Sequence, residues 1–244
     1  MTNSEIADRS AQSLNTVYRA MASPRRREIV RFVAERSPAP VGKDELSRRV
    51  AAVLTDSRTD DDRRVRVELH HRDLPALKNA GVIAETDDGG VVATDHWAFE
   101  TTALTKTFAD EPPGELDAVF GAIADERRRA ILCTLEARDQ PVSTQALARA
   151  VAERETGAAP DSIPADRVDR VLASLVHVHL PALADADLVA YDIDESRVAY
   201  EGHPMLRDEW PGLDDPEAHD RLRASRNAMT ALVARVAGFA RSGD

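Results

Sequence analysis

Apolar residues recur along this chain at the spacing of one helix face, and the same arrangement occurs twice. In each case the later apolar positions lie three, four and seven residues after the first, which places them on one side of an α-helix. The two sets are Leu14, Val17, Tyr18 and Met21, and Leu116, Val119, Phe120 and Ile123. The pattern predicts that each of two copies opens with a short amphipathic helix.

A longer comparison indicates that the two copies form an internal repeat. The stretch from Leu14 to Arg36 recurs from Leu116 to Arg138 with 9 of 23 positions identical, and LPALKNAGVI at 74–83 is matched by LPALADADLV at 180–189. Self-similarity of this kind predicts two related domains. The predicted parts are a disordered N-terminal segment at 1–13, domain 1 at 14–99, a linker at 100–115, domain 2 at 116–203 and a tail at 204–244.

Each copy continues with the same order of elements. A helix N-cap signal starts a second helix, a third helix follows, and a polar loop leads to a fourth helix. In domain 1 the second helix starts at Ser23-Pro24, the third starts near Lys43, the polar loop covers 56–62 and the fourth helix ends at Gly81. In domain 2 the corresponding positions are Asp125-Glu126, Thr144, 156–166 and Asp187. Short apolar runs on both sides of a turn then predict a β-hairpin. The predicted fold is mainly α with small β-hairpins, as two tandem winged-helix (helix-turn-helix) domains.

The fourth helix departs from an ordinary helix-turn-helix in two ways. The loop before it is around ten residues, whereas such motifs usually turn in three or four. Pro75 and Pro181 lie inside it, and a proline in a helix interior removes a backbone donor. We therefore expect each fourth helix to be kinked or broken into two short helices.

Several stretches resemble a known group of regulators. AMASPRRREIVRFV and AIADERRRAILCTL resemble the opening of ArsR-type winged-helix repressors, and LHHRDLPALKNAGVIAE resembles their recognition helix and wing. LVHVHLPALADADLVAYD resembles a haloarchaeal winged-helix-like domain family of unassigned function. The resemblance covers about 14–97 and 116–203 and implies a DNA-binding transcription regulator. Winged helices also serve as protein-binding modules, so the fold alone leaves both functions open.

The charge balance and the cysteine content indicate the salt conditions and the cellular compartment in which the protein works. The chain has 43 acidic and 32 basic residues, a net charge of -11, and its basic residues include only three lysines. Such a balance resembles halophilic proteins of a very salty cytoplasm; the alternative is that net acidity repels nucleic acid. A lone cysteine, Cys133, allows no internal disulfide. With no export signal and no long apolar run, these features predict a cytoplasmic protein that does not span a membrane.

The fourth helix of domain 1 is the strongest candidate for contact with DNA. Between Arg63 and Lys78 the lysines and arginines exceed the carboxylates by three, whereas the span from Asp166 to Asp187 in domain 2 has an excess of two carboxylates. Cations on such a helix contact phosphates, and hydrogen-bonding side chains reach base edges. The predicted DNA-binding residues are Arg63, Arg64, Arg66, His70, Arg72 and Lys78. The alternative is that these charged side chains form only a solvated helix face. The hairpin tips at 87–88 and 192–195 are acidic, which argues against insertion of a hairpin into a DNA groove.

Other chemistry is not indicated. The arginine triplets at 25–27 and 127–129 predict pairing with carboxylates or contact with phosphate, since positive charge opposes the dipole at a helix N-terminus. Neighbouring histidines such as His70 and His71 point in different directions on a helix, so we expect no metal site. The chain has no glycine-rich phosphate loop, CxxC or HExxH motif. We expect neither an enzyme nor a cofactor.

The tail carries a further amphipathic pattern that lies outside the repeat. From Pro216 onward, Leu222, Met229, Leu232, Val233, Val236 and Phe239 form an apolar stripe. This C-terminal helix is predicted either to pair two chains in a homodimer or to pack onto its own domain. The leading hypothesis is a DNA-binding transcriptional regulator with domain 1 as the main reader, and the alternative is a tandem winged-helix adaptor that binds another protein.

Overall fold

The architecture was determined from a computed structural model, which describes residues 14–54, 59–99, 113–159, 162–202 and 206. The predicted N-terminal segment, most of the linker and the predicted tail helix lie outside these residues. In domain 1 the helices are α1 (14–21), α2 (Pro24–Arg36), α3 (Lys43–Leu54), α4 (Thr59–Glu68) and α5 (Leu74–Asn79), and the strands are β1 (Ile83–Glu85) and β2 (Val91–Ala93). A short 3₁₀ turn at Trp97–Phe99 follows.

Domain 2 repeats this order with one additional strand. Its helices are α6 (Pro113–Ile123), α7 (Glu126–Glu136), α8 (Thr144–Thr156), α9 (Ala165–Ser174) and α10 (Leu180–Ala184), and its strands are β3 (Val142–Ser143), β4 (Val189–Asp192) and β5 (Arg197–Tyr200). The first helix begins at Pro113, ahead of the predicted domain start at 116. The predicted starts of the second and third helices and both hairpins are confirmed.

The hairpins lie in small antiparallel sheets. In domain 2 the strand order is β3-β5-β4, so β4 is an edge strand. In domain 1, β1 pairs with β2, and the backbone of Val41 bonds that of Val91 in both directions, at 2.8 and 2.9 Å. The residues before the third helix thus join the hairpin in both copies. This pairing was not predicted, because a strand of one or two residues has no periodicity.

The fourth helix of domain 1 begins earlier than predicted. α3 ends at Leu54 and α4 begins at Thr59, so the loop predicted at 56–62 is wrong over its second half. An aspartate-rich run is compatible with a first helical turn as well as with a loop, because negative charge is favourable at a helix N-terminus. In domain 2, α8 ends at Thr156 and α9 begins at Ala165, so the long connection is confirmed in that copy.

Each fourth helix continues past its proline without a break. A π-helical turn at Leu69–Asp73 connects α4 to α5 ahead of Pro75, and the turn at Leu175–His179 does the same in domain 2. The N–H of Leu74 donates to the carbonyl oxygen of Leu69, five residues back. The wider turn accommodates a proline that would otherwise clash with the preceding turn. Of the two predicted alternatives, a break into two helices is therefore wrong, and the irregularity at the proline is a π-helical turn.

A residue in the left-handed conformation follows the end of the helix after each proline. Gly81 has φ of 75° and Asp187 has φ of 54°. In both copies the next residue donates its N–H to the carbonyl oxygen five residues back. The N–H of Val82 donates to Leu77 at 3.2 Å, and that of Leu188 donates to Leu183 at 3.0 Å. This closing bond directs the chain from the helix into the hairpin.

The arginine triplets secure the corner between the first two helices. Arg27 and Arg129 donate to the carbonyl oxygens of Met21 and Ile123, each at 2.7 Å, and Arg128 donates to that of Ala122. Although these cations lie at the start of one helix, they satisfy carbonyl groups at the end of the preceding helix, where positive charge is favourable. The triplets therefore bind backbone carbonyl groups in addition to forming the predicted pairs with carboxylates.

The same arginines join the two copies by reciprocal contacts. Arg27 of domain 1 forms an ion pair with Asp117 of domain 2 at 2.7 Å, and Arg129 donates to Oδ1 of Asn15 at 2.7 Å. Arg27 is equivalent to Arg129 in the repeat, and Asn15 to Asp117. A contact that is repeated with its partners exchanged is the signature of a twofold interface.

Aromatic rings complete this interface. Tyr18 and Phe120, also equivalent positions, have ring centroids 6.3 Å apart. The guanidinium of Arg27 lies 5.8 Å from the Phe120 ring, and that of Arg129 lies 5.7 Å from the Tyr18 ring. The buried apolar residues of both copies form one contiguous core. Within one chain, the two copies therefore pack as a pseudo-symmetric pair.

Candidate nucleic-acid interface

The six predicted DNA-binding side chains all lie at the surface of the fourth helix of domain 1. The exposed residues are Arg63, Arg64, Arg66, His70, Arg72 and Lys78. The helix is fixed from beneath by the buried residues Val65, Leu69 and Leu77. It therefore presents its cations on an element that is anchored in the core.

Two of these arginines are well exposed and have carboxylate partners. Nε of Arg64 lies 3.1 Å from Oε1 of Glu68, and a guanidinium nitrogen of Arg66 lies 3.7 Å from Oδ1 of Asp44. The arginine side chains are 75% and 58% exposed. Ion pairs this exposed contribute little to stability and exchange readily for other anions. Both arginines can therefore still reach a phosphate.

Lys78 belongs to a tighter cluster at the end of β1, next to the hairpin turn. Its ammonium group and that of Lys43 both contact the carboxylate of Glu85. Hydrogen bonds from the two lysines lower the pKa of Glu85 to about 2. Glu85 therefore remains ionised at any pH near neutrality and neutralises one of the two cations. Lys43, at the start of α3, was missed as a candidate because it lies far from the fourth helix in sequence.

His70 faces an open groove between the fourth helix and the hairpin turn. The groove has a volume of about 430 Å³ and is lined by Pro40, Gly42, Lys43, Asp44, His70 and residues 88–90. Asp44 and Asp88 offset the positive charge of Lys43. An anion entering this groove would meet little net positive charge, which agrees with the sequence argument against binding through the hairpin tip.

A buried cluster holds the inner side of the helix at the π-helical turn. Arg25 forms ion pairs with Glu68 and with Asp73, the latter at 3.2 Å. Burial raises the pKa of the Asp73 carboxyl, against the opposing effect of Arg25, and burial lowers the pKa of Arg26. The cluster joins the start of α2 to the fourth helix, so Arg25 and Arg26 act in positioning rather than in an exposed site.

The equivalent helix of domain 2 presents different chemistry. At the positions of the six candidates in domain 1, it carries Asp169, Arg170, Leu172, Val176, Val178 and Ala184. Val178 is 55% exposed, whereas its counterpart is Arg72. Arg170, which aligns with Arg64, is 71% exposed and lies 2.9 Å from Asp166. The basic surface is therefore a property of domain 1 alone.

The histidines in the described part of the chain do not assemble a ligand set. His70 and His71 are exposed on the π-helical turn, and His179, which aligns with Asp73, is buried 3.7 Å from Asp125. Burial lowers the pKa of His179. Among the described residues, no group of three His, Cys, Asp or Glu side chains is arranged to hold a metal ion. Within the same part of the chain, no helix has the length and apolar character needed to cross a membrane.

Fold and site together define a class: a tandem pair of small helical domains, each closed by a β-hairpin, with a basic helix surface in the first copy. The chain belongs to the family described as a domain of unknown function (DUF7344), whose model matches residues 18–93 and 120–199. The two matches confirm the predicted tandem repeat. No curated protein and no solved structure matches the chain.

Proposed function

We propose that this protein is a DNA-binding transcriptional regulator of the tandem winged-helix type, with ArsR-like domains and domain 1 as the main DNA reader. The observation that carries the proposal is the exposed basic surface of the fourth helix in domain 1, which domain 2 lacks. The contacting residues would be Arg63, Arg64, Arg66, His70, Arg72 and Lys78. On this proposal the recognition helix is Thr59–Asn79 and the wing is the β1–β2 hairpin.

The arrangement of charge supports helix contact rather than wing contact. The side chains of Arg64 and Arg66 are themselves 75% and 58% exposed, so a phosphate can replace their carboxylate partners. The wing turn carries Asp87 and Asp88, which repel phosphate. We therefore expect the helix to supply the contacts to bases and phosphates, and the wing to stay outside the groove.

The acidic composition bears on the conditions under which binding occurs. A regulator with a net charge of -11 must overcome repulsion from DNA, and concentrated salt screens that repulsion. The proposal therefore places the protein in a salt-rich cytoplasm. Binding is to be measured across a KCl series into the molar range, with genomic fragments that include the protein's own promoter.

The sharpest test compares two matched arginines. Arg64→Ala in domain 1 is expected to weaken DNA binding and to reduce the slope of log affinity against log salt by about 1, because one phosphate contact is lost. Arg170→Ala is the control, since it occupies the same repeat position, is equally exposed and also has a carboxylate partner on its own helix.

The outcomes of this comparison separate the two functions. If Arg64→Ala acts as expected and Arg170→Ala has no effect, domain 1 reads DNA. If the triple variant of Arg63, Arg64 and Arg66 to Ala remains folded and binds DNA unchanged, the proposal is refuted.

The second candidate function is a tandem winged-helix adaptor that binds another protein without contacting DNA. A specific observation favours it for domain 2, where Val178 and Ile193 are 55% and 70% exposed. Exposed apolar residues of this kind mark protein contact surfaces more often than nucleic-acid contacts. Absence of DNA binding at every salt concentration would make this the better proposal.

A further inference from the structure

A second groove lies along the hairpin of domain 2, on the opposite copy from the basic helix. It has a volume of about 580 Å³, and its lining includes Pro141, Tyr191, Ile193 and Ala199. Ile193 is 70% exposed, the highest value among the large apolar side chains of the described residues. Covering a side chain this exposed with another apolar group is favourable, because apolar surface is then removed from water.

Carboxylates rim this apolar groove. Asp192 and Glu195 line it directly, and Asp194 lies at the same turn. The one cation of the groove, Arg197, donates to the carbonyl oxygen of Pro141 at 2.6 Å, and so forms part of the wall. The groove therefore suits an occupant that is apolar on one side and positively charged around it.

We propose that the chain's own C-terminal segment, residues 216–244, docks in this groove. The segment carries the apolar stripe identified in the sequence, from Leu222 to Phe239. It has five arginines against three carboxylates, in a chain whose net charge is -11. It is thus an amphipathic cationic sequence, and such a sequence fits a groove by laying its apolar side inward.

The short distance along the chain between the groove and the C-terminal segment also favours this occupant. Strand β5, one wall of the groove, ends at Tyr200, and Leu206 is buried in the core at 8% exposure. The residues between Leu206 and Pro216 extend over at most about 30 Å. A tether this short gives the segment an effective concentration of the order of millimolar, above that of the same segment on another chain.

The test measures hydrogen exchange of the hairpin amides, 189–200, in the full-length protein. Wild type is compared with Ile193→Asp in the groove and with Leu232→Asp/Val236→Asp in the segment. Val67→Asp is the matched control, because Val67 is likewise exposed at 51% but lies in domain 1. At millimolar effective concentration, even a contact with a dissociation constant of about 0.1 mM slows exchange roughly tenfold.

The expected result is that both test variants abolish this slowing and that the control does not. The slowing must also be independent of protein concentration. Equal exchange in wild type and all variants overturns the proposal. Slowing that appears only as the protein concentration rises also overturns it, since the segment of a second copy would then be the occupant. The inference does not depend on DNA binding and is tested separately from it.

Discussion

The reciprocal contact between Arg129 and Asn15 allows a direct test of how strongly the two copies are joined. Arg129 is 2% exposed, and one of its guanidinium nitrogens donates to both the Ile123 carbonyl and the Asn15 side chain, each at 2.7 Å. The first bond lies within domain 2 and the second crosses to domain 1. Substituting Arg129 and Asn15 singly and together separates the energy of the interdomain bond from that of the bond within domain 2.

The expected magnitude follows from these bonds and from burial. A hydrogen bond from a charged donor contributes about 1.5–3 kcal/mol, so Arg129→Met loses about 3–6 kcal/mol of gross interaction. Burial lowers the pKa of Arg129, which indicates that part of this is offset by the cost of desolvating the charge. We expect a net loss of about 2–4 kcal/mol, with a coupling to Asn15→Ala of about 1.5 kcal/mol.

The assay is denaturant unfolding at fixed salt for the wild type, the two single variants and the double variant. Because the core is contiguous across both copies, the wild type is expected to unfold in one transition. Additivity of the two substitutions within about 0.5 kcal/mol would refute the reasoning, because it would show that the interdomain bond contributes nothing. Arg27 and Asp117 form the equivalent pair in the repeat. The Asp117 side chain is 37% exposed, so the contribution of this pair to stability should fall as the salt concentration rises.

Three further predictions concern single groups. Burial lowers the pKa of His179 below 6.5, so protonation favours the unfolded state: the melting temperature should fall as pH drops below about 6.5, and His179→Asn should flatten that fall. At the helix ends, Gly81→Ala should destabilise by about 1 kcal/mol, whereas Asp187→Gly should be neutral or stabilising, because both positions have positive φ. Glu85→Gln should release Lys43 and Lys78 and strengthen DNA binding with a salt slope steeper by about 1, while Asp194→Asn on the domain 2 hairpin should leave binding unchanged.

Local pattern in the sequence predicted the order of elements. The starts of the second and third helices and both hairpins follow from capping residues, apolar spacing and turn residues, which act over a few neighbouring positions. The internal repeat strengthened these predictions, since each element had to account for two stretches of chain. The same local reasoning predicted an irregularity at Pro75 and left its form open as a kink or a break; the structure has a π-helical turn there.

The sequence by itself therefore determined a tandem repeat of mainly helical domains and a concentration of cations on one helix of domain 1. Only the tertiary structure decided which of those cations already have partners. Glu85 meets Lys43 and Lys78 because the hairpin folds back onto two helices, and Arg27 meets Asp117 because the two copies pack face to face. Such contacts join residues far apart along the chain, so they depend on how faces pack, and no spacing in the sequence encodes them.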